Sequence, residues 1–386
     1  MLIKIKNNLL PDSIAAVVIL LMAIGTVFVY SADANLSQEL NLHHFYNYQP
    51  LRQILFFPLA IIILYSLSTL DYHRLSLKSH PAKSPITYLL ILSITLLIIV
   101  LLPGIGTEIN QARRWLRFST ANFTISFQPS ELAKWTLVLF IAAFCDKFSE
   151  TLHLYRKRFL PLCAPIAIII ALIITEDFGT AAFLALLAAL LLLTAGVKLS
   201  HILTPLPLAA IAFFAVLIRS PARLQRIAAF LNPEKWADSA ACQANQSLVA
   251  LGSGGIFGKG LGRGICKYGH LPEDTTDFIF AIIGEELGLI GTTAVILLFI
   301  IFLWLGVLVF IRAKDRLGRL LAAGIVLTIT TQAALNIGVV TVVLPTKGIP
   351  LPFVSAGGTS MLLSAAAVGI LLNIAKQSIK TVTLEQ

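Results

Sequence analysis

The sequence predicts an all-α polytopic membrane protein with about ten transmembrane helices and a large outer loop between spans seven and eight. Three observations carry that prediction. Of the 386 residues 57% are hydrophobic and only 12% charged, with a mean hydropathy of +0.87, far from the composition of a soluble globular domain. Apolar windows of about 17 to 25 residues, the length that crosses a hydrocarbon core of about 30 Å, recur from one end of the chain to the other. Lysine and arginine collect in the connections on one side of those windows and are missing from the first connection on the other, the bias of the positive-inside rule.

The spans are expected near Ser13 to Tyr30, Gln53 to Leu70, Ile86 to Pro103, Ser130 to Phe148, Phe159 to Thr175, Phe178 to Val197, His201 to Ile218, Phe278 to Ile311, Leu317 to Leu344 and Gly358 to Ala375. The first carries Lys4 and Lys6 ahead of it and Ser31-Ala32-Asp33-Ala34 behind it, the outline of a cleavable signal peptide. Its apolar run is longer than a signal core, so it is read as a retained anchor. The eighth and ninth are long enough to tilt or to project beyond the bilayer. The whole chain, 1–386, reads as one integral membrane domain, with 219–277 as the large extracytoplasmic loop inside it.

Orientation follows from charge. With a cytoplasmic N-terminus, inside segments hold Lys4, Lys6, Arg74, Lys78, Lys83, Lys147, Arg156, Lys157, Arg158, Lys198, Arg312, Lys314, Arg316, Arg319, Lys376 and Lys380. The first outer loop, Ser31 to Pro50, has none, so both termini are placed in the cytoplasm. Two outer segments break the rule. One carries Arg113, Arg114 and Arg117; the other carries Arg219, Arg223, Arg226, Lys235, Lys259, Arg263 and Lys267. A long loop translocates regardless of charge, but the short arginine cluster points to an anionic ligand on the outer face.

The loop also holds the run Gly252-Ser253-Gly254-Gly255-Ile256-Phe257-Gly258-Lys259-Gly260-Leu261-Gly262, whose amides could cradle a phosphate beside Lys259. It is not a Walker loop, because Gly260 follows Lys259 where Ser or Thr is needed. Cys145 and Cys163 fall in or beside spans as packing residues. Cys242 and Cys266 share the outer loop, either as free thiols or as a disulfide.

Several stretches are recognisable together: Ala112-Arg113-Arg114-Trp115, Phe127-Gln128-Pro129-Ser130-Glu131-Leu132-Ala133-Lys134, Asp177-Phe178-Gly179-Thr180-Ala181, Phe230-Leu231-Asn232-Pro233, Gln246-Ser247-Leu248, the glycine-rich run, Thr276-Asp277-Phe278-Ile279-Phe280, Asn336-Ile337-Gly338-Val339-Val340, and Leu344-Pro345-Thr346-Lys347-Gly348. On these the chain resembles the SEDS family (shape, elongation, division and sporulation) over nearly its whole length. The Pro-Thr-Lys-Gly form and Ile283-Gly284-Glu285-Glu286-Leu287-Gly288 look more like the FtsW division branch than the RodA elongation branch. The resemblance implies a peptidoglycan glycosyltransferase that polymerises lipid II, an undecaprenyl-diphosphate-linked disaccharide peptide, on the outer face of the membrane. It also implies partnership with a class B penicillin-binding protein and other divisome proteins.

The residues can be weighed beside that resemblance. Joining two such sugars requires one base for an acceptor hydroxyl and fixed cations for a departing diphosphate, and no second carboxylic acid. Asp277, at the mouth of span eight, is the expected base, where the family motif implies a catalytic aspartate. The helix dipole would keep it ionised and burial against Phe278 and Phe280 would raise its pKa; a plain helix cap is the other reading. Glu131 and Lys134, three apart on one helix face, are either an intrahelical ion pair or part of the substrate cavity. Arg114 and Lys347 are expected to contact the diphosphate, with lipid or solvent contact as the alternative. Asp177 either caps span six or pairs with an outer cation, and Lys259 completes the substrate-binding set.

Glu285 and Glu286, about 12 to 13.5 Å deeper than Asp277 along the helix, are read as structural partners of cations. Glu273 and Asp274 offer oxygen ligands that a divalent cation could use. The chain departs from the family pattern at Asp274-Thr275, where Ala-His is usual, at Ala356, where Tyr is usual, and at Glu176, where Pro is usual; the last adds charge and leaves the entry to span six less rigid. Two other functions remain open from the sequence, a lipid II flippase using Glu131, Lys134, Glu285 and Glu286 as a polar route, and a noncatalytic scaffold for wall assembly.

Overall fold

A computed structural model describes residues 9–33, 49–77, 84–109, 112–120, 123–236, 241–268, 271 and 273–382. Lys4, Lys6, Lys78 and Lys83, part of the orientation argument, lie outside the described residues. The chain is a helical bundle of α1 (Leu10–Ala32), α2 (Gln49–Leu67), α3 (Pro85–Leu101), α4 (Pro129–Lys147), α5 (Leu160–Ile174), α6 (Phe178–Thr194), α7 (Leu199–Leu203), α8 (Leu206–Ile218), α9 (Pro221–Leu231), α10 (Cys242–Gly254), α11 (Ile279–Arg312), α12 (Arg316–Val340) and α13 (Gly358–Val382). Among the described residues seven helices are long and apolar enough to cross a membrane, and α3 and α6 are shorter apolar helices. The fourth predicted span is α4. It is buried around nearly its whole circumference and carries Glu131, Lys134 and Asp146 inside the bundle.

Local chemistry sets the helix ends. Proline at the first turn starts α3, α4 and α9, where a missing N–H leaves nothing unpaired. Asp177 caps α6 by accepting from the Thr180 N–H at 3.0 Å and its hydroxyl at 2.9 Å. Asp315 caps α12 through the Gly318 N–H. The seventh predicted span breaks at Pro205 into α7 and α8.

Two parts of the architecture were not expected. The arginine-bearing segment after α3 folds as a three-stranded antiparallel sheet, β1 (Gly106–Ile109), β2 (Ala112–Thr120) and β3 (Phe123–Phe127), in the order β1-β2-β3. The large loop is not irregular either, because it contains the amphipathic α9 and then α10, which lies along α11. The four cysteines are free thiols, so Cys242 and Cys266 are not joined.

The depth assigned to Glu285 and Glu286 is also corrected. Gly288, at φ 67° and ψ −158°, breaks α11 into a short buried leg and a long one. Residues 289–312 alone cover about 36 Å, enough to cross a hydrocarbon core. The two carboxylates therefore sit above that crossing, level with the end of α1, whose Ser31 hydroxyl donates to Glu286 at 2.8 Å. The glycine-rich run wraps this kink. Gly258 has φ 77°, and a Cβ there would stand 2.2 Å from the Glu286 carbonyl oxygen, so only glycine fits. Leu289 N–H donates to Gly255 O at 2.9 Å and Lys259 N–H to Glu285 O at 3.0 Å.

Glu285 takes the Lys259 ammonium at 2.7 Å and the N–H groups of Ile265 and Cys266. Glu286 takes the Lys267 ammonium at 2.9 Å. All these partners belong to the loop, so the carboxylates staple it to the bundle. At the opposite end the Tyr72 hydroxyl donates to Asp315, the Tyr72 N–H to Asn373 at 3.2 Å, and Gln377 to Asp71 at 2.9 Å, which ties the connections of α2, α12 and α13. Glu286→Ala strands a fully buried Lys267 ammonium and should cost about 3–5 kcal/mol, read as a lowered unfolding temperature of the detergent-solubilised protein, whereas Ser31→Ala should cost about 1 kcal/mol.

Candidate active site

One large cavity, about 990 Å³, opens on the face where α1, α5, α8 and α12 end and α2, α4, α6 and α13 begin. It is lined by Gln49 and Arg52 from α2, Arg114 and Arg117 from β2, Glu131 from α4, Asp177, Arg223 and Arg226 from α9, Asp277, and the connection Pro345 to Gly358. Of the residues named from the sequence, Arg114, Glu131, Asp177, Asp277 and Lys347 line it. Lys134 lies just below, and Lys259 is outside the lining, with its ammonium held by Glu285.

Asp277 is placed by its backbone. The turn Glu273 to Phe278 closes through Thr276 and Phe278 N–H groups on the Glu273 carbonyl, at 3.2 and 3.1 Å. Asn336 on α12 then donates from one amide nitrogen to Asp277 O at 2.7 Å and to Ile349 O at 2.8 Å. The Ser355 hydroxyl donates to Thr276 O at 2.5 Å and the Ala356 N–H to Thr275 O at 2.9 Å. The turn before α11 and the connection before α13 are thus one unit.

Glu131 and Lys134 support that unit from beneath. The Lys134 ammonium, 2% exposed, donates to Glu131 at 2.8 Å and to the Gln332 side-chain oxygen at 2.9 Å. Gln332 passes its own amide to Pro350 O at 2.9 Å. The ion pair along α4, one of the two readings of these residues, is present, and it continues into the loop that carries Lys347.

Arg114 is held at the corner between α5 and α6. Its Nε and Nη2 donate to Glu176 O at 3.0 and 2.7 Å, and its Nη1 lies 3.4 Å from the Asp177 carboxylate. Asp177 therefore both caps α6 and pairs with an arginine. Gly348 separates Arg114 from Asp277: a Cβ there would stand 3.1 Å from Asp277 Oδ2 and 4.0 Å from Arg114 Nη1. Lys347 packs its stem over Gly179 beside Asp177, 3.6 Å from where a Cβ on that glycine would stand. Burial pushes its ammonium below the ordinary lysine value.

Arg223 and Arg226, three apart on α9, were passed over in the sequence among many loop cations. Their spacing on an amphipathic helix is the mark that separates them. Arg223 donates to Thr175 O at 2.7 Å and lies 5.3 Å from the Phe178 ring, and burial together with Arg114 lowers its pKa. Burial pushes the Asp277 carboxyl up to about 7, with Glu273 and Asp177 raising it further and Arg114 and Arg226 pulling it down. Burial also raises Asp274 to about 6. Among the described residues no cluster of three or more His, Cys, Asp or Glu side chains is arranged to hold a metal ion.

The family model for FtsW, RodA and SpoVE, described as cell cycle protein, matches residues 11–380. The chain belongs to that family. It is 35% identical over 372 residues to stage V sporulation protein E of Bacillus subtilis (strain 168), covering 95% of this chain and 98% of that protein. It is 38% identical over 358 residues to a probable peptidoglycan glycosyltransferase FtsW of Trichlorobacter lovleyi, covering 92% and 91%. The fold matches a chain of a peptidoglycan synthase complex solved for its coordination of polymerization and crosslinking, with a TM-score of 0.72 at 24% identity over 95% of this chain and 97% of that one. It also matches the rod shape determining protein RodA of Thermus thermophilus, with a TM-score of 0.64 at 23% identity over 94% and 96%. In this FtsW/RodA/SpoVE chain the cavity combines one carboxylate of raised pKa with several arginines and a lysine.

Linkage sets a sign for that carboxylate. Between the ordinary value of about 3.9 and about 7 the folded protein keeps a proton that the unfolded chain has released, so Asp277 lowers stability as pH rises through that window. Asp277→Asn should remove this slope and unfold at a higher temperature than the parent at pH 8, with little difference at pH 4, in thermal scans at both values.

Proposed function

We propose that this chain is a peptidoglycan glycosyltransferase that polymerises lipid II, with Asp277 as general base and Arg114, Lys347 and the α9 arginines as the diphosphate site. The observation that carries the reading is the Gly348 gap, which leaves Asp277 Oδ2 and the Arg114 guanidinium facing one space with no side chain between them. An acceptor sugar hydroxyl gives its proton to Asp277 as its oxygen bonds to the anomeric carbon of the donor. The bond from that carbon to the diphosphate breaks, and the electron pair leaves on the phosphate oxygen beside Arg114 and Lys347. Direct displacement inverts the anomeric centre.

A base that burial raises to about 7 keeps an ionised population at neutral pH and is strong enough to take a proton that is being lost to bond formation. The cations are chosen by position. Arg114 is fixed by two carbonyl contacts and one carboxylate, so it meets the developing charge without reorganising. Asp177 shares Arg114 with the substrate, and Glu131 and Lys134 hold the Pro345 to Pro350 loop in register, which makes them positioning residues in this reading.

The positive-inside pattern supports placing the cavity on the outer face and both termini in the cytoplasm of a bacterial inner membrane. The match to the synthase-complex chain supports a class B penicillin-binding protein as the partner that crosslinks the strands, and the FtsW relatives support a role in division. Purified Asp277→Asn should still bind lipid II but lose polymer formation by about 10²–10⁴-fold, whereas Lys259→Ala should keep wild-type polymerisation at matched folded concentration. Full activity of Asp277→Asn in a gel assay of glycan length removes the base from the mechanism.

A further inference from the structure

Glu176 occupies the corner where the resemblance has a proline, and its carboxylate is not idle. β1 and β2 pair Thr107 with Trp115 and then Glu108 with Arg113, so the register skips Arg114. Arg114 is the extra residue of a β-bulge, a feature that bends its strand and re-aims the side chain it carries. Next to the bulge the Arg113 N–H donates to Glu176 Oε2 at 2.7 Å, while the Glu176 carbonyl takes two N–H groups of Arg114. One residue therefore grips the bulge from both sides, its carboxylate on the strand backbone and its carbonyl on the guanidinium. A proline supplies the carbonyl but has no acceptor for the Arg113 N–H.

We propose that Glu176 is a positioning residue for the departing diphosphate: its carboxylate holds the β2 bulge that aims the Arg114 guanidinium across Gly348 toward Asp277. This rests on the reading that Arg114 meets the diphosphate. Arg114 is one of four charged groups acting on Asp277, with Glu273 and Asp177 of like sign and Arg226 of opposite sign; Lys347 lines the same cavity. Letting Arg114 drift takes away a cation that keeps Asp277 ionised, so the proton on Asp277 becomes harder to remove.

Full-length Glu176→Ala and Glu176→Gln are compared with the parent in lipid II polymerisation across pH 5 to 9. A glutamine carbonyl accepts the same N–H. Glu176→Ala should raise KM for lipid II by about fivefold or more, the loss of one hydrogen bond's worth of placement, and move the midpoint of the acid limb above its parental value. Glu176→Gln should restore both. Parental KM and midpoint in Glu176→Ala, or equal impairment in Glu176→Gln, overturns the proposal. Should Glu176→Ala not fold, Glu176→Asp carries the same comparison with its carboxylate one methylene short.

Binding of undecaprenyl diphosphate in an Asp277→Asn background separates this proposal from the assignment of the base. Weakened binding on adding Glu176→Ala supports Glu176 even where Asp277→Asn retains polymerisation. Unchanged binding overturns Glu176 even where Asp277→Asn is inactive.

Discussion

The amide of Asn336 is the interaction on which the rest of the site depends. Its single nitrogen bridges Asp277 O and Ile349 O, the one at the mouth of α11 and the other in the connection to α13, so two segments far apart in sequence share one donor. A main-chain carbonyl inside a membrane bundle has no water to fall back on, and leaving it unpaired costs several kcal/mol. Asn336 is 1% exposed and sits one helical turn above Gln332, which passes the same service to Pro350 O. Lys134 fixes Gln332, and Glu131 neutralises Lys134. Glu131, Lys134 and Gln332 are therefore a hydrogen-bonded ladder that begins in α4 and reaches the backbone at Pro350, and Asn336, one turn further along α12, carries the support to the backbone of Asp277.

That ladder explains why charge can be buried here without undoing the bundle. The buried pairs fall into two groups with different jobs. Lys259 with Glu285 and Lys267 with Glu286 close on themselves, with the Cys266 N–H on the second oxygen of Glu285 and the Ser31 hydroxyl on that of Glu286, which leaves a staple. Arg114 with Asp177 does not close: Nη1 is 3.4 Å from the carboxylate, looser than the 2.7 and 2.9 Å staples, and it faces the cavity. A charge that is held mainly by carbonyl oxygens keeps its field for a ligand, whereas one matched to a buried carboxylate has given it up. The same logic separates Lys347, desolvated against Gly179, from Lys259.

The helical bundle was legible because span length and charge alternation are properties of single segments, and both survive folding. The broken α11 was not, since Gly288 in a long apolar window looks like an ordinary small residue until Gly258 packs against it. The sheet after α3 was hidden by its arginines. Trp115, Phe118, Thr120, Phe123 and Ile125 carry the aromatic and β-branched character of strands, but three cations in five residues invited an electrostatic reading instead. The lining of the candidate site was legible where motif and charge coincided, at Asp277, Arg114 and Lys347. It was illegible where polar residues act through backbone contacts, as Asn336, Gln332 and Glu176 do, because a carbonyl acceptor leaves no trace in the side chain opposite it. Lys259 lies outside that lining for the converse reason: a glycine-flanked lysine resembles a phosphate loop, and only the fold reveals the Glu285 carboxylate beside it.

Gly348 lies between the Asp277 carboxylate and the Arg114 guanidinium. Two groups of opposite charge in a half-buried cavity attract, and an Asp277 to Arg114 contact would lower the pKa of the carboxyl and fill the space between them. The ladder and the corner prevent this from opposite directions, one by pinning the backbone of Asp277 and the other by pinning the guanidinium of Arg114. With both ends anchored, Gly348 leaves a gap bordered by an acceptor on one side and donors on the other. Under the proposed function a neutral acceptor hydroxyl and a diphosphate oxygen would fit that polarity, the first at the Asp277 carboxylate and the second at the Arg114 guanidinium.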